Sequence, residues 1–497
     1  MENQVQLITY VDRLGGGDLP SLHRLLTGPL QGAFGGVHLL PFYHAIDGAD
    51  AGFDPIDHTR VEPRLGTWAD VQALSRDVPV VADLIVNHLS ADSPQFQDFS
   101  RHGAASAHAG LFLTHATVFP AGATEAQLLA IYRPRPGLPF TCVTLQNGEK
   151  RVLWTTFTPK QVDIDVRHPQ GAAYLRSILE IFRVAGVALI RLDAAGYAVK
   201  KAGTSCFMLP ETYAFIGELA AEARALGMEV LVEIHSYYRE QIAIAQKVDR
   251  VYDFALPPLV LHALFRGTAR ALKSWLAISP RNAITVLDTH DGIGIVDVGA
   301  DPQDRAARPG LLPPAELDAL VENIHANSRG ESRQATGAAA HNLDLYQVNC
   351  TYYDALGRDD RAYLIARAIQ FFAPGIPQVY YTGLLAGHND LALLAQSQVG
   401  RDINRHHYTV PEIAAALERP VVRDLLALIR LRNTHPAFAG EFAIIDSPES
   451  ESVLHLRWTH AAQSVSLAVD LPARTAGIRL TTPSGATSSH DLFAHLP

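Results

Sequence analysis

Cysteine is nearly missing from this chain: Cys142, Cys206 and Cys350 are the only three among 497 residues. Three thiols cannot build a disulfide framework, and no pair has the Cys-x-x-Cys spacing of a zinc site. A reducing, cytoplasmic setting is the expectation. Long apolar runs are also lacking, and a strand-like stretch, Val5–Tyr10, starts within four residues of the amino end. Neither a secretory leader nor a membrane anchor is therefore expected, and the sequon Asn349-Cys350-Thr351 carries no weight without one. Basic residues are short, with 41 Lys and Arg against 51 Asp and Glu. The resulting net charge of −10 leaves no positive surplus for a nucleic-acid backbone. Any anionic ligand must be met by local positive charge. Low-complexity tracts and solenoid repeats are missing too. Gly292-Ile-Gly294 looks like part of a dinucleotide fingerprint, but position 297 is Asp where a third glycine is needed.

What the chain does contain is alternation. Strand-like segments at Val5–Tyr10, Val37–Leu40, Val80–Val86, Val187–Asp193, Glu229–Ile234, Arg250–Ala255, Ala283–Leu287 and Pro377–Thr382 are separated by helix-like ones. Two of the latter, Pro169–Val184 and Glu211–Leu226, carry apolar residues at helical spacing. Eight such units predict an α/β fold, a closed (β/α)8 TIM barrel. The chain is long enough for that core plus one or two smaller domains. Residues 89–167 and 293–358 are too long for simple loops and are expected as insertions on the carboxyl face, the second with a helix near Pro314–Ser328. The barrel then occupies 1–88, 168–292 and 359–436. A small β domain is expected over 437–497, where Val453–Trp458 and Val465–Leu471 alternate.

Polar residues arrive at the carboxyl ends of successive strands. The third gives Asp83, Asn87 and His88, the fourth Arg191 and Asp193, the fifth Glu233 and His235, the seventh His290 and Asp291. Any one of these could be a satisfied core group, but repetition at equivalent places points to a reaction centre. Asp193, Glu233 and Asp291 could converge there. Retaining glycosyl transfer needs a carboxylate nucleophile and a protonatable carboxyl close by, and crowding raises the pKa of one member. Arg191, two residues before Asp193 and on the same side of the strand, is expected to keep Asp193 ionised. His88, His235 and His290 could instead bind zinc with a carboxylate, although no His-Glu-x-x-His spacing exists.

The motifs Asp83-Leu-Ile-Val-Asn87-His88, Arg191-Leu-Asp193, Glu233 and His290-Asp291 resemble the four signature regions of the α-amylase superfamily of retaining glycosidases and transglycosidases. Further stretches, among them GADAGFDPIDHT, YRPRPGLPFT, VYDFALPP, VLDTHDGIG, NLDLYQVN and GRDINRH, resemble bacterial sucrose phosphorylases as far as about Phe438. The resemblance implies Asp193 as nucleophile, Glu233 as general acid/base and Asp291 as transition-state stabiliser. It also implies that Asp50, His88, Arg191, His290 and Arg401 hold the glucosyl unit, with Phe53 as an apolar platform. Tyr132, Pro134 and Arg135 from the first insertion and Leu343, Asp344, Leu345, Tyr346 and Gln347 from the second match the family's acceptor loops. Phe157, Tyr197 and His235 would complete that pocket.

The implied ligands are sucrose, inorganic phosphate, glucose 1-phosphate and fructose, with no cofactor and no metal, and the resemblance suggests a homodimer through the first insertion. Rival readings keep the same acids: a hydrolase or transglucosylase, or a phosphorylase of sucrose phosphate or glucosylglycerate. A catalytically inactive barrel used as a binding module would lack part of the acidic triad, which is complete here.

Overall fold

The computed structural model describes residues 1–497 apart from 49, 135–136, 302–304, 337–346, 446–449 and 497. Eight parallel strands close on themselves: β1 (Gln6–Thr9), β2 (Gly36–Leu39), β3 (Val80–Ile85), β4 (Val187–Asp193), β5 (Glu229–Val232), β6 (Arg250–Asp253), β7 (Ala283–Thr285) and β8 (Ile376–Tyr380). Spatial neighbours follow chain order, and β8 pairs with β1 to complete the barrel. Each expected strand is present, but most stop earlier than the apolar run does. β5 ends at Val232 rather than Ile234, and β8 gives way to a short helix, Tyr381–Leu384, where a strand was expected to reach Thr382. The residues at issue have left the ladder to form the rim.

Crossover helices cover the barrel. α1 (Pro169–Val184) starts with Pro169 at its first position, where a missing N–H costs nothing. It buries Leu175, Ile178, Leu179 and Phe182 against the strands. Gly186 follows at φ +77, and a Cβ there would lie 2.5 Å from the Ser75 hydroxyl. α2 (Pro210–Ala225) buries Ile216, Leu219, Ala220 and Ala223 in the same way.

Strand parity decides what faces the barrel axis. Val81, Leu189, Leu231, Ile284 and Ile376 form an enclosed apolar cluster with Tyr252 and Phe254. Two residues beyond Val81 and Leu189 stand Asp83 and Arg191, which are register partners across β3 and β4. One more step of two gives Asp193 on β4, and the same step from Leu231 gives Glu233. His38, Tyr252 and Gln378 share the polar middle layer, the Tyr252 hydroxyl lying 3.3 Å from His38 Nδ1 and donating to Gln378 at 3.2 Å. The interior thus passes from apolar to charged towards the carboxyl end.

Two long segments rise from that end. Between β3 and α1 lie a helix, Pro94–His102, and a hairpin of Phe140–Thr144 with Lys150–Trp154. A short strand there, Gln161–Asp163, pairs with His88–Ser90 and returns the segment to the rim. After β7, Ile293–Gly294 pairs antiparallel with Gln347–Val348, and a helix spans Pro314–Asn327. The carboxyl-terminal unit is one five-stranded antiparallel sheet: β9 (Glu441–Ile444), β10 (Val453–His460), β11 (Gln463–Asp470), β12 (Thr475–Thr481) and β13 (Thr487–His490). The Trp458 indole anchors it to the barrel by donating to the Phe372 carbonyl at 2.8 Å. Among the described residues no helix is long and apolar enough to cross a membrane.

Candidate active site

A cavity of about 130 Å³ opens at the carboxyl rim. Its wall includes Asp193, Glu233 and Asp291, the glucosyl-side candidates Asp50, Phe53, His88, His290 and Arg401, and the acceptor-side candidates Tyr132, Pro134, Phe157, Tyr197, His235 and Gln347. Residues separated by hundreds of positions in sequence therefore meet in one place. Arg135, Leu343, Asp344, Leu345 and Tyr346 lie outside the described residues. Ala194, Gly196, Ile234 and Phe207 also line the cavity, although no charge or motif singled them out.

Arg191 sits beneath this cavity, 1% exposed. One of its terminal nitrogens meets Asp83 at 2.5 Å and Asp193 at 3.1 Å, and the other meets Glu233 at 2.7 Å. A planar fork is the side chain suited to several carboxylates at once. It also fixes the spacing of Asp193 and Glu233 to the span of one guanidinium and two ion pairs. The expectation that Arg191 serves to keep Asp193 ionised needs correction. Burial pushes the Asp193 carboxyl well above the usual range; Arg191 opposes this, and Glu233, Asp83 and Asp50 add to the rise. A cation divided among three acids cannot offset complete burial for each. The acid–nucleophile pair thus lies where burial favours keeping one proton between the two side chains that share Arg191.

Asp291 has the opposite environment. Burial works to raise its carboxyl, but Arg401, at 2.7 Å, followed by His290, His235 and Arg191, holds it far below the ordinary range. It is a fixed negative charge facing the cavity. Arg405 and Asn404 clamp the backbone behind it: the Arg405 guanidinium donates to the His290 carbonyl at 3.0 Å and the Asn404 amide to that of Asp291 at 2.8 Å.

The histidines divide by environment. Burial drives His290 and His88 down, so both are neutral. The His290 ring stacks on Phe53 with centroids 4.8 Å apart, and its buried Nδ1 has no hydrogen-bond partner among the described residues. A neutral imidazole at a cavity wall suits a sugar hydroxyl. The Nε2 of His88 lies 2.9 Å from the Phe53 carbonyl and holds that platform in place. For His235 burial also works to lower the pKa, but Asp297, Glu233 and Asp291 outweigh it and raise it to about 9. The three histidines do not form the zinc set considered from sequence. The described group whose ligand atoms could converge is Glu233, His235 and Asp291, and these face Arg191 and Arg401 across short ion pairs.

Local backbone supports the arrangement. Ala194, directly after Asp193, adopts φ +54, a left-handed conformation that costs a non-glycine residue about 1–2 kcal/mol. The turn it makes sends the chain into Ala195–Tyr197, so that both Asp193 and Tyr197 reach the cavity.

Comparison with known proteins agrees with this geometry. The family described as "Alpha amylase, catalytic domain" matches residues 33–232. A sucrose phosphorylase of Agrobacterium vitis is 64% identical over 94% of this chain and 95% of its own length. One from Bifidobacterium adolescentis is 51% identical over 100% of this chain and 99% of its own. A crystal structure of a sucrose 6F-phosphate phosphorylase from Thermoanaerobacter thermosaccharolyticum superposes with a TM-score of 0.90 at 36% identity, covering 99% of this chain and 98% of that one. With this likeness running along nearly its whole length, the chain belongs to the sucrose phosphorylase family of α-amylase-type barrels.

Proposed function

We propose that the chain catalyses reversible phosphorolysis of sucrose with retention of configuration. The observation that carries this reading is the convergence of Asp193, Glu233 and Asp291 on one cavity, in a chain 64% identical to a protein named sucrose phosphorylase. In the first step a carboxylate oxygen of Asp193 attacks the anomeric carbon. The bond to fructose breaks, and Glu233 gives its proton to the departing oxygen. The step needs Glu233 protonated and Asp193 ionised, and the shared Arg191 keeps the two acids close enough to exchange that one proton. In the second step a phosphate oxygen attacks the β-glucosyl ester, Glu233 takes back a proton, and the bond to Asp193 breaks to release α-glucose 1-phosphate. Asp291, fixed as an anion, stabilises the positive charge that develops on the sugar ring between these states.

Asp50, Phe53, His88, His290 and Arg401 hold the glucosyl unit in this reading. Tyr132, Pro134, Phe157, Tyr197, His235 and Gln347 form the acceptor half. Arg135, Leu343, Asp344, Leu345 and Tyr346 join them on the strength of their motifs. Phosphate must approach three acids, so a guanidinium such as that of Arg135 is needed to bring it in. The reading extends to a cytoplasmic protein, in keeping with its three free thiols, and to a homodimer through the first inserted segment. Exposed Leu129, Leu138 and Val152 on that segment support the dimer, and sedimentation of the intact chain tests it.

The decisive assay incubates the protein with sucrose, with and without phosphate, and measures glucose 1-phosphate against free glucose. Phosphate-dependent glucose 1-phosphate is the expected result. Free glucose released at the same rate in both would sink the phosphorylase reading in favour of a hydrolase. Sucrose 6F-phosphate as a parallel substrate separates the reading from that of the structural relative. Arg135→Ala should impair phosphate use far more than hydrolysis, and equal losses would contradict the loop assignment.

A further inference from the structure

We propose that Asp297 is a positioning residue for the acceptor half of the site: seated beside Gly294, its carboxylate grips Nδ1 of His235 and keeps Nε2 turned towards the incoming phosphate. The inference rests on the phosphorolytic reading above.

Asp297 is fully buried and lies in the short 3-10 turn Val296–Val298. One oxygen is 3.1 Å from His235 Nδ1. The other accepts from the Ser236 backbone N–H at 3.2 Å and the Gln241 amide at 3.0 Å. Three donors from the end of β5 and the helix after it thus converge on a carboxylate that comes from the loop after β7. Such a buried charge is retained only where its partners are fixed. The glycine pair that resembled an incomplete dinucleotide fingerprint now has a structural reason. A Cβ on Gly294 would lie 2.4 Å from the Asp297 carboxylate, and a Cβ on Gly292 would lie 2.7 Å from the Val348 carbonyl. The first glycine admits the strand pairing that brings Gln347 to the cavity, and the second admits Asp297 to the ring. Asp at position 297, which ruled out the fingerprint, is the residue the spacing serves.

The other side of the ring faces chemistry. His235 is stacked on Phe254 at 3.8 Å between centroids. Its Nε2 lies 3.9 Å from Glu233, 3.9 Å from Asp291 and 3.3 Å from the Gln347 amide nitrogen. Arg401 stands behind, 2.7 Å from Asp291 and 3.5 Å from the Gln347 oxygen. Among these charged neighbours Asp297 is the nearest to the ring. Burial works against charge on His235, but Asp297 first, then Glu233 and Asp291, outweigh it and raise the pKa to about 9. The surroundings of the ring therefore favour its doubly protonated form at neutral pH.

Fructose is neutral and phosphate is an anion. A positive ring beside Glu233 and Asp291 therefore matters most to the second step, where it offsets the repulsion of phosphate by two acids. A raised pKa means that this help is present below about 9 and is lost as the pH rises through that value. Asp297→Asn keeps the shape and removes the charge, so the ring should titrate near the ordinary histidine value of about 6.5.

The test uses the full-length protein. Initial rates of glucose 1-phosphate formation and of sucrose hydrolysis without phosphate are measured at about pH 5.5 and about pH 7.5, on either side of the ordinary histidine value. In Asp297→Asn the phosphate KM should rise about tenfold or more at the higher pH. The gap should narrow at the lower pH, and hydrolysis should fall by less. Gly294→Ala, which displaces Asp297 without changing any charge, should give the same pattern. A phosphate KM equally affected at both pH values, or equal losses in both reactions, would overturn the proposal. If neither variant folds, histidine-selective NMR of the wild type decides, with His235→Gln identifying the resonance. Titration near 9 supports the proposal and titration near the ordinary value refutes it. Wild-type protein that forms no glucose 1-phosphate counts against the phosphorolytic reading instead, while the NMR titration still judges the His235–Asp297 pair.

Discussion

Asp83→Asn removes one charge from beneath the rim while keeping the side chain's shape. Asp83 has no exposed surface, and its carboxylate meets Arg191 at 2.5 Å and His38 at 3.1 Å. Burial works to raise this carboxyl, but Arg191 and His38 outweigh it and hold it at about 2. The unfolded chain has an ordinary aspartate value of about 3.9. A depressed carboxylate stabilises the fold above its unfolded pKa, and the contribution disappears as the pH falls through the folded value. The difference is worth about 2–3 kcal/mol at neutral pH. Asparagine forfeits it and leaves Arg191 with two carboxylates in place of three. Urea unfolding near neutral pH should therefore show a loss of about 2–4 kcal/mol, and the gap to wild type should close towards pH 2.

The same substitution has a separate consequence for the chemistry. Asp83 and Asp193 touch one guanidinium nitrogen, at 2.5 and 3.1 Å. They therefore lie within about 6 Å of each other, where a unit charge at an effective dielectric near 20 is worth about 2–3 kcal/mol, or roughly two pKa units. Asp83 is one of the charges that push Asp193 up. Without it the acid–nucleophile pair gives up its shared proton at lower pH. The alkaline limb of kcat/KM for sucrose should move down by about one to two units, read from initial rates of glucose 1-phosphate formation across pH. A folded variant with an unmoved limb would refute the electrostatic account of Arg191 and its three acids, and a limb that moved up would refute its sign.

Three further outcomes follow from named contacts. Asp193→Asn should abolish transfer to phosphate, water and sugar acceptors alike, and residual glucose release at more than a trace of the wild-type rate would remove Asp193 from its role. Arg401→Gln takes away the nearest cation to Asp291, so burial reasserts itself on that carboxyl. The kcat/KM for sucrose should fall by about two orders of magnitude, as for other lost transition-state electrostatics, with an acid limb displaced to higher pH. Ile178→Ala, at a fully buried position of α1, should cost about 2–5 kcal/mol in urea unfolding, while the folded fraction keeps its kcat/KM.

How much of this was legible in the sequence depends on the range of the signal. Parity along one strand is local, so Arg191 and Asp193 could be placed on one face, and the acids on β4 and β5 could be assigned to one rim. Partition of a charge between strands is not local. That Arg191 serves Asp83 and Glu233 as well as Asp193 follows from the β3–β4 register and from the position of Glu233 just past the end of β5, and neither is written in any motif. The early ends of the strands have the same origin: an apolar run marks what is buried, whereas the ladder stops where side chains turn inward to the cavity. Asp297 was passed over because its glycines were read against a phosphate-binding pattern, in which spacing serves close backbone approach to a ligand. Here the same absence of a Cβ serves the approach of a buried carboxylate to a histidine 62 positions away. A glycine pair records that something must come close, and only the fold says what. The acids are therefore readable from strand ends, while the charges that set their protonation have to be found in three dimensions.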